Sequence, residues 1–208
     1  MLPTLYLSHG SPELVLMNND TTEFFKSISK KFKEPKYIIV ISAHWVTKDL
    51  RILFSEFPNK INDFHGFPKA LYETQYGANN SLEKVNEIVK LFERNNIKVI
   101  KDENREGYDH GVWAPLKLIY PNAHIPIIQL SMPMNFSVEQ LLEMGELLQT
   151  LREDTLIIGS GSMTHNLRDM NCTNINAPVL PYAKNFRDWI VSKLEIADVS
   201  VTSKQKLL

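Results

Sequence analysis

Imidazole is the side chain that this sequence sets out for chemistry. Six histidines occur in the 208 residues, and three of them repeat one pattern: an apolar run, then small residues, then His. They are His9 in Leu5-Tyr6-Leu7-Ser8-His9-Gly10, His44 in Ile38-Ile39-Val40-Ile41-Ser42-Ala43-His44-Trp45, and His165 after Leu156-Ile157-Ile158-Gly159-Ser160-Gly161-Ser162-Met163-Thr164. Runs of Ile, Leu and Val without a polar alternation read as strands buried on both faces. Each histidine then leaves the carboxyl end of a strand, the edge at which open α/β sheets bind ligands. Imidazoles gathered there make a metal or acid–base site, because neutral imidazole ligates zinc, suits non-haem iron and titrates near neutrality. A lone histidine after a strand is more often a core residue bonded to a neighbouring carbonyl. It is the repetition in His9 and His44 that points to a shared ion. His165 follows a Gly/Ser run that lets backbone approach a ligand, and it reads as a ligand or a proton carrier.

The other three histidines carry weaker signals. His110, in Asp109-His110-Gly111-Val112-Trp113, reads as a loop residue after a strand, either a proton carrier or simply paired with Asp109. His65, between Phe64 and Gly66, reads as a pocket wall, and His124, just ahead of a strand on the opposite sheet edge, as exposed and uninvolved. Ser160 and Ser162 hint at a hydrolase. The run Gly159-Ser160-Gly161-Ser162-Met163 is neither a Gly-x-Ser-x-Gly elbow nor a phosphate loop with Gly-Lys-Ser/Thr.

The elements that must position these residues follow from periodicity. Strands are expected over Leu2 to Leu7, Lys36 to Ser42, Arg51 to Phe54, Ile97 to Ile100, Ile125 to Leu130 and Thr155 to Ile158. A helix starts near Asp20, with Glu23 completing a capping-box-like pair, and Pro35 stops it. Pro68 opens a helix through Leu71 and Tyr72 to Gly77. Asn80 or Ser81 caps another, with Leu82, Val85, Ile88, Val89 and Phe92 on one face. Trp113, Leu116 and Ile119 line a short helix closed by Pro121. Ser137 and Gln140 cap a helix through about Leu151, and a last helix covers Pro181 to Leu194. Val199 to Leu208 looks like the start of a further element. Strands alternating with helices imply right-handed crossovers and an α/β fold, a single layered domain with a mostly parallel central sheet flanked by helices.

Composition narrows the classes. The chain is 43% hydrophobic with a formal charge of -1, and its 23 basic and 24 acidic residues are interspersed, which suits one globular domain and gives no footprint for nucleic acid or an anionic membrane. No segment has the length of a membrane span, and the N-terminus lacks a secretory pattern, so a cytoplasmic address is expected. Cys172 is the single cysteine, so any metal here is held by His, Asp or Glu.

Taken together, five stretches resemble the class III extradiol ring-cleavage dioxygenases (LigB superfamily), in the branch similar to 4,5-DOPA extradiol dioxygenase. They are Ser8-His9-Gly10-Ser11-Pro12, Ser42-Ala43-His44-Trp45, Asp63-Phe64-His65-Gly66-Phe67-Pro68 with Leu71-Tyr72, Asp109-His110-Gly111-Val112-Trp113 with Pro115-Leu116, and Gly159-Ser160-Gly161 with Thr164-His165-Asn166-Leu167. They fall in one order from His9 to Leu167. The resemblance implies a non-haem Fe(II) enzyme, with zinc found in bacterial relatives, that opens a catechol ring with O2. By position His9 and His44 correspond to metal ligands. His165 corresponds to the acid–base histidine near the metal, sometimes counted with the ligands, and His110 to a second-sphere histidine beside the substrate. Trp45, Phe67 and Trp113 are the aromatic residues expected to wall the catechol, although such spacings also suit plain core. The expected partners are a small aromatic (catecholic) substrate and O2, with no nucleic acid and no membrane, and a homo-oligomer is compatible with all of this. The expectation is one extradiol-type catalytic domain over residues 1–208 that lacks the C-terminal part of the family. The resemblance puts a further ligand histidine in that part, and no histidine follows His165 here. Glu13 and Asp109 are the carboxylates considered in its place. Two other readings use the same residues: a zinc hydrolase whose metal-bound water attacks, and a non-catalytic binding protein on the same scaffold.

Overall fold

In the order of the chain come β1 (Thr4–Ser8), α1 (Asp20–Ile28), β2 (Tyr37–Thr47), β3 (Arg51–Leu53), β4 (Asn59–Lys60), α2 (Lys69–Glu73), α3 (Leu82–Arg94), β5 (Ile100–Asp102), β6 (Gly107–Tyr108), α4 (His110–Ile119), β7 (Ile127–Pro133), α5 (Val138–Gln149), β8 (Thr155–Gly161) and α6 (Pro181–Ala197). The computed structural model describes residues 1–171, 174 and 177–197. Two compact units divide the chain, Met1–Gly161 and Ser162–Leu208. The first holds the sheet and α1 to α5; the second holds α6. Among the described residues no helix is long and apolar enough to cross a membrane. Cys172 and the expected element at Val199 to Leu208 lie outside the described residues.

Six strands form the central sheet in the order β1-β8-β2-β7-β3-β5. Every neighbouring pair is parallel except β3 with β7, so the expected α/β class with a mostly parallel sheet holds. Side chains alternate across this sheet and feed two cores. Ile38 and Val40 of β2, Leu156 and Ile158 of β8 and Ile127 of β7 pack on one face with Phe25 and Ile28 of α1 and Val112, Trp113 and Leu116 of α4. Ile39, Ile157, Ile128 and Leu130 enter the other face with Val85, Ile88 and Phe92 of α3 and Met144 and Leu148 of α5. Each fully buried Ile, Leu or Phe contributes about 1.5–3 kcal/mol relative to an exposed one. Burial on both faces is why the strand sequences show no polar alternation.

Several boundaries differ from the sequence expectation, each for a local reason. The first helix is capped by Asn19, not Asp20: Asn19 Oδ1 accepts the Thr22 N–H, and Thr22 Oγ1 returns a bond to the Asn19 N–H, both at 3.0 Å. β2 does not stop at Ser42 but runs to Thr47, with its register against β7 broken between Ile41 and Val46. That bulge takes Ala43 to Trp45 out of the regular ladder, while Ser42 stays in register with Ser160 of β8. β5 begins at Ile100, not Ile97, because residues 95–97 are still closing α3: Asn96 takes a positive φ of 60°, and the Ile97 N–H bonds to Phe92 O at 2.9 Å. α2 is one short turn ending at Glu73 rather than Gly77. The Gly159-Ser160-Gly161 run, expected as a loop, completes β8. β7 starts at Ile127, after Pro126, and continues to Pro133, and the Ser137/Gln140 capping box on α5 is present as expected.

Candidate metal centre

The carboxyl ends of β1, β8 and β2 lie side by side, and two histidines come to the same place from there. His9 follows β1 directly, its backbone N–H bonded to Gly161 O of β8 at 3.2 Å. His44 sits in the bulged stretch of β2. His110 arrives from a different direction. It is not a loop residue but the first residue of α4, whose N-cap is Asp109. His9 and His110 are buried, whereas the His44 side chain is 31% exposed, so the group is closed on two sides and open at His44.

The rings face one another. His9 Nε2 and His44 Nε2 are 3.0 Å apart, and the His44 and His110 ring centroids are 3.9 Å apart. One ring nitrogen from each of the three histidines lies within 4.8 Å of the others. Two imidazole nitrogens bound at about 2.0–2.1 Å to a single ion stand roughly 2.8–3.4 Å apart for angles between octahedral and tetrahedral. The His9–His44 pair already has that separation. The donor set, all nitrogen and borderline-soft, fits zinc or non-haem iron.

The opposite ring nitrogens are held from behind. His9 Nδ1 is 2.8 Å from Ser160 Oγ on β8. His110 Nδ1 is 2.9 Å from Asp63 Oδ1, and the same oxygen accepts the His110 backbone N–H at 3.0 Å. The other oxygen, Asp63 Oδ2, lies 3.8 Å from His44 Nδ1, within Coulombic reach. Partial burial pushes the Asp63 carboxyl up, but the hydrogen bonds and charge of His110 outweigh that and hold it below the ordinary carboxylate range. A carboxylate behind a ligating histidine is the usual way in which proteins fix the tautomer and the ring orientation.

Asp109, expected beside His110, serves the scaffold instead. Its buried carboxylate accepts from Ser42 Oγ (2.6 Å), the Gly111 N–H (3.0 Å), Gln129 Nε2 (2.6 Å) and Arg105 Nη2 (2.7 Å). It thereby ties β2, β7 and the start of α4 together just below the histidines. Gly111 is needed for that approach, since a Cβ there would lie 2.3 Å from Ser42 Oγ and 3.1 Å from His44 Cδ2.

Of the aromatic residues expected at the ring, Phe67 is half-buried and meets Phe64 edge-on at 5.4 Å. Phe64 in turn lies 5.8 Å from His110. Trp113 is fully buried, gives its indole N–H to Ile61 O at 3.0 Å, and backs Phe64 at 6.2 Å. Trp45 is buried with the Arg105 guanidinium 4.3 Å over its ring. His65 is exposed, and so is His124, which faces Glu34 at 3.2 Å. His165 belongs to the second unit, in the segment between β8 and α6.

Residues 3–207 match the family model described as the catalytic LigB subunit of aromatic ring-opening dioxygenase. The chain belongs to this LigB family of ring-opening dioxygenases. It is 36% identical over 194 residues to a 4,5-DOPA dioxygenase extradiol of Escherichia coli (strain K12), covering 93% of this chain and 70% of that protein. To a protein of the same name from Beta vulgaris it is 36% identical over 199 residues, covering 92% and 72%. A crystal structure of uncharacterized protein JW3007 from Escherichia coli K12 superposes with a TM-score of 0.77 at 32% identity, over 93% of this chain and 73% of that one.

Sequence reasoning missed Asp63, Ser42, Gln129 and Arg105 as supports of the site, and it read Ser160 as a hydrolase hint. A signal was present. Ser42, Gln129 and Ser160 are polar residues inside mainly apolar strands and are buried there, and a buried polar group must have a partner.

Proposed function

We propose that this protein is a non-haem Fe(II) extradiol dioxygenase that opens the aromatic ring of a catecholic compound with O2. The observation that supports it most is the 3.0 Å approach of His9 Nε2 to His44 Nε2, with His110 turned to the same place, in a chain of the ring-opening dioxygenase family. Relatives named for 4,5-DOPA dioxygenase activity support a catechol as the substrate class. When bound, the ion supplies a Lewis-acidic centre at which both catechol oxygens and O2 meet.

The residues divide the remaining work. His9 and His44 hold the ion, and the exposed side of His44 is where a planar substrate enters. His110, fixed by Asp63, presents its other ring nitrogen to a substrate hydroxyl. The likeness of Thr164-His165-Asn166-Leu167 to the family's acid–base motif supports giving His165 the phenolic proton and its later return. Phe67 and Phe64 form an apolar wall that keeps water from the ring, with Trp113 packed behind them and Trp45 bracing the bulge. The motifs run collinearly through both units, which supports assigning them to one catalytic domain.

The test is anaerobic loading with Fe(II), followed by O2 and a panel of catechols, reading oxygen consumption and the coloured ring-opened product. Stoichiometric uptake with at least one catechol is expected. An iron-loaded protein that consumes no oxygen with any of them loses the assignment.

A further inference from the structure

α4 contains a proline at its sixth position, Pro115, where a helix normally resists one because the ring removes an N–H and crowds the carbonyl four residues back. That carbonyl is Gly111 O, and here it has a particular use: it accepts the hydrogen of Ser160 Oγ, across from β8. Ser160 is buried, at 3% exposure, and its single hydroxyl hydrogen is committed, because a carbonyl oxygen has no hydrogen to offer in return. The contact of 2.8 Å between Ser160 Oγ and His9 Nδ1 must therefore be an N–H donated by histidine. In neutral His9 this leaves Nε2 as a bare lone pair, and Nε2 is the atom that faces His44 at 3.0 Å.

We infer that Pro115 and Ser160 are positioning residues of the metal centre: by withholding a helical N–H, Pro115 leaves Gly111 O to orient the Ser160 hydroxyl, which fixes His9 in the Nδ1–H tautomer with Nε2 aimed at the ion. The inference rests on the metal reading above for its purpose, while the tautomer itself belongs to the metal-free protein. An ordinary residue at 115 would send its N–H to Gly111 O and compete with Ser160. The helix would gain a bond, and His9 would lose the constraint on its ring. A proline kept only for packing predicts no such exchange.

The test uses the whole chain, uniformly labelled with 15N, at about pH 8, where free imidazole is neutral. Two-bond 1H–15N spectra of the metal-free protein, with the His9 signals assigned by their loss in His9→Asn, read the tautomer. The wild type is expected to show His9 protonated at Nδ1; protonation at Nε2 overturns the inference without any variant. Pro115→Ala and Ser160→Ala are expected to mix the tautomers and to weaken Co(II) binding, followed by its visible absorption, about 10–100-fold. Ser160→Thr, which keeps the hydroxyl, is expected to restore most of that affinity. The distinguishing result is Pro115→Ala with its urea midpoint unchanged or raised and its Co(II) affinity lowered. Affinities within twofold of wild type in both alanine variants sink the relay. If the wild type takes up no Co(II), the metal reading fails, and the tautomer measurement still decides the inference.

Discussion

His44 is the accessible member of a group whose other two imidazoles are buried, and it shares a 3.0 Å nitrogen contact with His9. Removing its ring takes one of two close donors from the ion. His44→Ala is therefore expected to leave the purified protein without bound metal, measured by elemental analysis after loading with Fe(II) or Zn(II). His165→Ala is expected to retain the metal and lose turnover, because the role assigned to it is proton transfer. Metal contents equal in the wild type and His44→Ala contradict the ligand role, and an active His165→Ala contradicts the acid–base role. Asp63 and Ser160 matter at this scale for a different reason. Each occupies the nitrogen of an imidazole that faces away from the centre, so the inward nitrogens keep a defined protonation.

At the scale of the element, the centre depends on how the start of α4 meets the ends of β2 and β7. Asp109 makes that junction: it caps α4 through Gly111 and takes donors from Ser42, Gln129 and Arg105. The Arg105 side chain is itself mostly buried, at 14% exposure, so neutralising its partner strands a cation. Asp109→Asn is expected to cost about 3–5 kcal/mol, the range for breaking a buried pair from one side, read as a drop in the urea midpoint. A loss under about 1 kcal/mol would show that Arg105 finds water instead. The bulge in β2 is the other device, because a regular ladder through Ser42 to Trp45 would alternate His44 onto a fixed sheet face.

For the whole molecule, ion binding and folding are linked, since His9, His44 and His110 come together only when β1, β2 and α4 are all in place. An ion that binds only the folded chain stabilises it by about 2.7 kcal/mol at a hundred times its Kd. For a chain of this size that corresponds to roughly 5–10 °C in Tm. Adding Zn(II) to the metal-free protein is expected to raise Tm by that order, a chelator to reverse it, and His44→Ala to show no response. A wild-type Tm indifferent to metal places the ion elsewhere or nowhere.

Much of this was legible in the chain itself. The runs at residues 38–41 and 156–158, and the capping pair Ser137/Gln140, specify strands and a helix by local periodicity and by hydrogen bonds three residues apart, and a layered α/β sheet follows from their alternation. The strand-exit pattern singled out His9, His44 and His165, because a parallel sheet has one edge at which such residues gather; the first two stand together there with His110, which the pattern did not include. What the tertiary structure decided is which groups stand behind them. Asp63 meets His110 across 47 residues, Ser42 meets Asp109 across 67, and Ser160 meets His9 across 151. No local period encodes separations of that kind. They exist because the sheet order and the start of α4 bring buried polar residues of separate elements together, where each must find its partner within the protein.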